Sequence, residues 1–211
     1  MLQLCPLCAS SSHEFFNHRN IPYYQCDVCK GIFVKKSHLP SKNKEIERYL
    51  QHNNDVNDPL YQQFVLPLVN AVISDFSPKH KGLDFGAGTG PVVSKMLHDL
   101  SYDIVLYDPF FHNHQQLLLL KYDYIVACEV IEHFHNPSAE FSLLKALMKP
   151  GAILYCMTSL YNESIDFASW YYKNDHTHVF IYHAKSIEYI STRYGFSDFR
   201  ISNNMIRFIN Q

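Results

Sequence analysis

The spacing of apolar residues changes near position 59. Residues 35–59 are polar and show no sustained period, which predicts a linker with a short helix across Glu45–Leu50. Asp58 followed by Pro59 is a helix-start signal, an N-cap and a first-turn proline, for a helix that extends to about Phe76. Its apolar face is predicted from residues that recur at every fourth position, namely Leu60, Phe64, Leu68 and Val72.

From Lys81 onward, short apolar runs alternate with helical segments. The predicted strands are Gly82–Phe85, Tyr102–Tyr107, Tyr122–Cys128 and Ala152–Met157, with helices over Val92–Leu100 and Ser138–Met148 between them. An alternation of strand and helix predicts an α/β fold with a mostly parallel sheet.

A glycine-rich loop, Gly86–Gly90, joins the first of these strands to its helix. Small residues there allow a ligand to approach the backbone at the crevice beyond the strand ends. Dinucleotide sites use such loops too, but their pattern is G-x-G-x-x-G, whereas this loop reads G-x-G-x-G with Asp84 two residues before it. Carboxylates suit a ligand with an ammonium, a sulfonium and a ribose diol, so S-adenosylmethionine is the expected cofactor. Asp84 would lie near its methionine end and Asp108 would accept from the ribose, although Asp108 could instead only begin a turn.

Four of the six cysteines form two C-x-x-C pairs: Cys5, Cys8, Cys26 and Cys29. Zn²⁺ prefers four tetrahedral thiolates, and a two-residue spacer turns both sulfurs of a pair toward one ion. We therefore predict a structural zinc site in a ribbon whose second pair follows a strand at Tyr23–Cys26. The competing interpretations are a redox dithiol or a chance pair, and His13 or His18 would replace a cysteine that is not a ligand.

Composition adds little to these patterns. Hydrophobic residues make up 47% and charged residues 18% of the 211 positions, as in an ordinary globular protein. The net charge of −2 argues against a protein that coats nucleic acid by charge alone. With no apolar run of membrane-spanning length, no signal-peptide pattern and paired thiols, we expect a cytoplasmic protein without a membrane partner.

Three motifs together resemble class I S-adenosylmethionine-dependent methyltransferases. Gly82–Gly90 resembles their first motif, 124–134 resembles the fourth-strand motif of ubiquinone-biosynthesis O-methyltransferases, and 147–154 is similar to their turn into strand five. Residues 166–180 further resemble a group of bacterial zinc-ribbon methyltransferases of unassigned substrate.

The resemblance implies a Rossmann-like sheet that ends in a reversed hairpin, which Phe199–Ser202 and Met205–Ile209 would form. It covers about residues 60–211. The implied cofactor-binding residues are Asp84, Phe85, Gly86, Ala87, Gly88, Gly90, Asp108, Pro109 and Glu129. One departure is that 14 residues between Asp108 and Asp123 are too few for the usual third strand and its helices. We expect a sheet trimmed at that edge, and we name no adenine-contacting residue.

Glu132 and His133 are the predicted catalytic residues, because they follow a strand on the face where this architecture binds ligands. His133 would act as the base for an acceptor hydroxyl or acidic carbon, or it could simply cap the next segment. A sharper hypothesis comes from a resemblance of Glu129-x-x-Glu132-His133 to the divalent-metal motif of small-RNA 2′-O-methyltransferases. His176 or His178 would complete that second metal site.

The aromatic and polar stretch after Asp166 predicts a lid or acceptor-pocket loop, or else the core of a loop packed on the sheet. Its predicted substrate-binding residues are Trp170, Tyr171, Tyr172, His176 and His178.

These observations predict a zinc-ribbon module at 1–36, a linker at 37–58 and a methyltransferase domain at 59–211. The first expectation for function is methyl transfer to a small molecule. The second is an RNA methyltransferase that grips RNA with the ribbon, since residues 1–50 have a charge balance of +3. The third, a binding protein without chemistry, fits the intact glycine loop least well.

Overall fold

The structure is a computed structural model that describes residues 3–52 and 54–211, and it contains two sheets. The strands are β1 Gln3–Leu4, β2 Ser11–His18, β3 Ile21–Cys26, β4 Ile32–Val34, β5 Lys81–Phe85, β6 Asp103–Tyr107, β7 Tyr122–Cys128, β8 Met148–Met157, β9 Phe180–Ile181, β10 Phe196–Ser202 and β11 Met205–Asn210. The helices are α1 Lys42–Leu50, α2 Pro59–Asp75, α3 Val92–Asp99, α4 Pro137–Ala146 and α5 Ala184–Tyr194. Short 3-10 turns cover Lys36–His38, Gln115–Leu119, Ile131–His133 and Tyr171–Asn174.

The larger sheet has the order β10-β11-β8-β7-β5-β6. Strands β6, β5, β7 and β8 are parallel, while β11 runs antiparallel to β8 and pairs with β10 in a hairpin. The predicted strands and the reversed hairpin are confirmed. Between β6 and β7 the chain forms only a 3-10 turn at Gln115–Leu119, so β6 is the edge strand and the sheet is trimmed as expected.

The smaller sheet has the order β1-β2-β3-β4-β9 and is antiparallel throughout. Its first four strands come from the N-terminal segment, but β9 comes from residues 180–181, far along the chain. The main hydrophobic core also contains Cys5, Cys26 and Cys29 together with Leu83 and Ile125 of the larger sheet. The predicted module at 1–36 therefore shares both a sheet and a core with the rest of the chain.

Helix α2 confirms the predicted segment and two of the four residues of its predicted apolar face. The side chains of Val65, Leu68, Val69 and Val72 are buried, whereas Leu60 is 75% and Phe64 is 43% exposed. The prediction holds for Leu68 and Val72 and fails for Leu60 and Phe64, because a step of four residues overshoots a 3.6-residue turn by about 40° and an every-fourth series drifts around the helix. Spacing of three and four residues keeps the real stripe on the sheet.

The segment predicted as a linker contains helix α1, which begins at Lys42 and buries Glu45. This helix and the residues after it lie over the carboxyl ends of the central strands, where they line the main cleft. Among the described residues, no helix is long and apolar enough to cross a membrane.

Candidate active site

A cleft of about 1120 Å³ opens at the carboxyl ends of β5, β6 and β7. Parallel strands all end on this side, which makes it the natural ligand site of such a sheet. The cleft is lined by all nine residues predicted to bind the cofactor: Asp84, Phe85, Gly86, Ala87, Gly88, Gly90, Asp108, Pro109 and Glu129. The structure thus brings the predicted set together, and their role as cofactor ligands stays a prediction.

The glycine loop is held tightly against its neighbours. Gly86 and Gly88 have φ values of 82° and 60°, a left-handed backbone that favours glycine. The amide of Gly86 donates to the carbonyl of Tyr107 at 2.8 Å, which fixes the loop to the end of β6. A Cβ on Gly90 would lie 1.9 Å from the carbonyl oxygen of Asn54, so the backbone after α1 rests directly on the loop.

Asp84 lies at the floor of the cleft near the loop. Its side chain is buried, and its Oδ2 accepts a hydrogen bond from Ser94 Oγ at 2.7 Å. Burial raises the pKa of Asp84 to about 6, with the nearby Asp108 adding to the effect and the Ser94 hydrogen bond opposing it. A buried carboxyl group with a pKa this close to neutral pH favours a cationic ligand group, because the positive charge would stabilise the buried carboxylate.

Asp108 organises the second half of the loop region. Its Oδ1 accepts from the amides of Phe110 and Phe111 at 2.8 and 3.0 Å, and its Oδ2 accepts from the amide of Gly88 at 3.0 Å. Asp108 therefore has the turn-forming role considered from the sequence, and its carboxylate keeps an acceptor position free for a ligand, because a carboxylate has about four such positions.

Two glutamates face each other after β7. Glu129 has a φ of 51°, uncommon for a residue with a side chain and typical of strained functional positions. Burial together with the adjacent Glu132 raises the pKa of Glu129 to about 9. Glu132 is fully buried, and its Oε1 accepts from Tyr172 Oη at 2.6 Å. Its Oε2 is buried without a hydrogen-bond partner among residues 3–52 and 54–211.

His133 and His178 lie close to the carboxylate of Glu132. The Nδ1 of His133 contacts the carbonyl of Thr177 at 2.9 Å, and the Nδ1 of His178 contacts the carbonyl of Tyr172 at 2.8 Å. A carbonyl accepts only, so in the neutral rings Nδ1 carries the hydrogen and Nε2 has a free lone pair. Burial lowers the pKa of His133, which favours that neutral form.

Ligand atoms of Glu132, His133 and His178 all lie within 4.8 Å of one another, close enough to hold one metal ion. Of the two histidines considered from the sequence, His178 joins the cluster, while His176 is exposed at the mouth of the cleft and does not. Glu129 also lies outside the three-residue cluster.

Residues 170–179, here called the acceptor loop, form one wall of the cleft. Tyr171, Tyr172, His176 and His178 line the cleft. Trp170 does not: it stacks on Tyr172 with a centroid distance of 5.1 Å and also packs near Tyr161 and Phe167. This position favours the second interpretation considered from the sequence, the core of a loop, because a large flat side chain gains more by burial than by facing water.

Sequence reasoning missed the wall opposite the acceptor loop. Arg48, Tyr49, His52 and Asn54 line the cleft from α1 and the residues after it. The ring of Tyr49 meets His133 edge-on at 5.3 Å. Polar residues without a period gave no signal that this segment returns over the strand ends.

The four N-terminal cysteines converge as predicted. Their sulfurs all lie within 4.8 Å of one another, with Cys5 to Cys29 at 3.6 Å and Cys8 to Cys26 at 3.3 Å. A tetrahedral zinc ion with Zn–S bonds near 2.3 Å needs sulfurs about 3.8 Å apart. The cluster therefore fits such an ion. His13 is not in the cluster. Its Nδ1 instead contacts Oδ1 of Asp27 at 2.8 Å.

Comparison with known proteins agrees with this architecture. The profile of a family described as a methyltransferase domain matches residues 46–200, about three quarters of the chain. No curated protein matches the chain.

Among solved structures, a SAM-dependent methyltransferase from Archaeoglobus fulgidus is 16% identical with a TM-score of 0.55, over 71% of this chain and 94% of that one. Human N-acetylserotonin methyltransferase in complex with SAM is 13% identical with a TM-score of 0.52, over 81% of this chain and 56% of that one. An O-methyltransferase family protein from Burkholderia thailandensis is 12% identical with a TM-score of 0.50, over 80% of this chain and 67% of that one.

At these identities the structural likeness concerns the fold, while the family match covers most of the chain. Both agree with the predicted Rossmann-like class I sheet. The chain therefore belongs to a methyltransferase-domain family and has the class I fold of S-adenosylmethionine-dependent methyltransferases.

Proposed function

We propose that the cleft binds S-adenosylmethionine and that the protein transfers its methyl group to a small-molecule acceptor. The observation that carries this proposal is the placement of Asp84, Asp108 and the glycine loop around one cavity of about 1120 Å³. Sites for single small ligands usually measure about 300–1,000 Å³, so this cavity has room for a cofactor and an acceptor together.

The two acids would hold opposite parts of the cofactor. Asp84 is buried beside the loop, where it would face the ammonium of the methionine part. The positive charge of that ammonium would lower the pKa of Asp84 when the cofactor binds. Asp108 would accept from the ribose hydroxyls with the lone pairs that its loop contacts leave free. The backbone of Gly86–Gly90 permits the close approach that both contacts need.

The acceptor would lie between α1 and the acceptor loop. Enclosure by these two walls favours a small molecule over a bulky polymer, and their aromatic residues suit a partly apolar acceptor. The bound cofactor supplies an activated methyl group on sulfur. His133, neutral and with a free Nε2, would take the proton from an acceptor hydroxyl, and Glu132 would stabilise the charged imidazole that results.

A structural zinc ion at Cys5, Cys8, Cys26 and Cys29 completes the proposal. The sulfur distances fit a tetrahedral site, and four protein ligands leave no open coordination position.

A second candidate, metal-assisted methyl transfer, is favoured by the cluster of Glu132, His133 and His178. Histidines that bind metals usually donate their other ring N–H to a carbonyl, which is the arrangement of both rings here. The carboxylate of Glu132, whose Oε2 has no hydrogen-bond partner among the described residues, would supply the third ligand. A divalent ion there would lower the pKa of an acceptor hydroxyl as a Lewis acid.

Calorimetry with S-adenosylhomocysteine tests the first proposal. Asp108→Asn should abolish or strongly weaken the binding of this product, while Asp103→Asn, at the exposed start of the strand that Asp108 follows, should bind like wild type. Thermal unfolding checks that both variants are folded. Absence of heat for wild type with millimolar cofactor or product would contradict the proposal.

The metal candidate needs its own test. Paramagnetic resonance of added Mn²⁺, which has little affinity for thiolates, should report one bound ion per chain in wild type and none in His178→Ala. His176→Ala is the matched control, since His176 lies outside the cluster. Equal Mn²⁺ binding by wild type and His178→Ala would remove this candidate.

A further inference from the structure

We infer that the N-terminal module positions the reactive side of the cleft: its strand β4 holds the acceptor loop in place through β9. The inference rests on the proposed function only in assigning that loop to the acceptor side. A ribbon that only packed on the surface of the fold would complete its sheet with its own strands. Here β4 pairs with β9, with Ile32 opposite Ile181 and Phe33 opposite Phe180.

Val179 links the smaller sheet to the segment of Glu132 through its own backbone. Its carbonyl accepts from the amide of Val34 in β4 at 2.9 Å, and its amide donates to the carbonyl of Glu132 at 3.0 Å. The module, the end of the acceptor loop and the Glu132 segment are therefore joined by two consecutive backbone hydrogen bonds. A shift of β4 would move Val179 and strain its bond to Glu132.

Side chains reinforce this connection at both ends of the loop. The ring of Phe33 stacks on Phe180 with an interplanar angle of 11°. Tyr23 Oη donates to the carbonyl of Lys173 at 3.3 Å, and Ser186 Oγ donates to the carbonyl of Cys29 at 2.8 Å. The last of these bonds attaches a cysteine of the metal cluster directly to helix α5.

The loop in turn fixes the groups that face the cleft. Carbonyl oxygens of the loop, at Tyr172 and Thr177, set the orientation of the rings of His178 and His133. Tyr172 also donates to Glu132 Oε1. The reactive groups thus depend on the loop, and the loop depends on β4, which gives the module a positioning role.

Gly31 offers a way to separate the module from the loop. A Cβ there would lie 2.4 Å from Cζ of Phe180 and 3.3 Å from Ser186 Oγ, while the φ of Gly31 lies outside the left-handed region. Alanine therefore suits the local backbone but acts as a wedge between β4 and β9. Phe180→Leu in the same chain shortens the side chain that the wedge meets and serves as the matched rescue.

The experiment compares wild type, Gly31→Ala and the rescued double variant by hydrogen exchange. Zinc content and S-adenosylhomocysteine binding are measured first: the zinc content should stay unchanged because the cysteines are untouched, and the product should still bind because the glycine loop is untouched. Amides of 171–181 should exchange about tenfold faster in Gly31→Ala, and the double variant should return toward wild type. Trp170, the one tryptophan of the chain, should report the same change as a red shift of its emission.

Val34→Pro provides a second variant, since it removes the N–H that bonds Val179 and leaves the cysteines alone. If Gly31→Ala fails to give zinc-loaded protein that binds the product, Val34→Pro is judged by the same exchange and emission measurements. Wild-type exchange of 171–181 in a zinc-loaded variant would overturn the inference. Failure of wild type to bind the product would instead count against the proposed function alone.

Discussion

Arg48 donates from its Nε and a terminal nitrogen to one oxygen of Asp175, at 2.9 and 2.8 Å. This ion pair joins α1 to the acceptor loop across the mouth of the cleft. Burial of Asp175 alone would raise its pKa, but the imidazole of His52, 3.7 Å away, and hydrogen bonds from Thr177 outweigh burial and hold the pKa well below its usual range. Asp175 is therefore charged at neutral pH, and the pair closes the two walls on each other.

Arg48→Met should weaken this closure while keeping much of the side-chain packing. We expect the affinity for S-adenosylhomocysteine to fall about fivefold, through faster dissociation, since a partly exposed pair contributes about 1 kcal/mol. Stopped-flow displacement measures the dissociation rate. Arg200→Met is the control, because the ion pair of Arg200 with Asp198 is exposed and lies on β10, outside the lining of the cleft. Equal dissociation from wild type and Arg48→Met would contradict the role of the pair.

Asp84→Asn should stabilise the ligand-free protein at neutral pH while weakening cofactor binding. The folded-state pKa of about 6 exceeds the ordinary 3.8, so ionising this buried acid costs stability as the pH rises between these values. Above pH 6 the free energy of unfolding of the variant should exceed that of wild type by about 2–3 kcal/mol, and this difference should shrink toward pH 4. Urea unfolding of both proteins from pH 4 to 8 tests this, and a gap that does not change with pH would contradict it.

Tyr172→Phe should destabilise the fold because it removes the hydrogen bond to Glu132 Oε1 and leaves a buried carboxylate less satisfied. The expected loss is about 1–3 kcal/mol in the free energy of unfolding. Tyr171→Phe is the matched control, since Tyr171 is 69% exposed. If the two variants unfold at the same urea concentration, the hydrogen bond does not have the stabilising effect assigned to it.

Gly90→Ala should lift the segment after α1 off the glycine loop, because the new Cβ would overlap the carbonyl oxygen of Asn54. We expect faster proteolysis within residues 51–57 and an affinity for S-adenosylhomocysteine at least about tenfold lower. Thr89→Ala changes the exposed neighbour without an overlap and should leave the rate of proteolysis in this segment like that of wild type. Unchanged proteolysis in Gly90→Ala would show that the contact with Asn54 is dispensable.

Features that depend on neighbours along the chain could be predicted from the sequence. The strands from Gly82 to Met157 and the convergence of the four cysteines follow from local period and spacing, whereas the reversed hairpin follows from the family resemblance. The missing third strand was also predictable, since 14 residues between Asp108 and Asp123 cannot form it with its helices.

The candidate site was predictable only in part. The glycine loop and its acids lie within one strand–loop–helix unit, so their order along the chain already places them together. The choice of His178 over His176 was not predictable, because both follow Asp175 closely and only the turn of the loop decides which ring reaches Glu132.

The amino-acid sequence by itself determined the strand–loop–helix unit, the cysteine cluster and the trimmed sheet, because each depends on spacing over a few residues or on chain length. Only the tertiary structure decided that α1 closes the cleft, that Trp170 faces a core and that β9 joins the ribbon sheet. These outcomes depend on which surfaces pack together when the segments are more than a hundred residues apart in the chain. Packing of that range is set by three-dimensional complementarity, and no period along the chain encodes it.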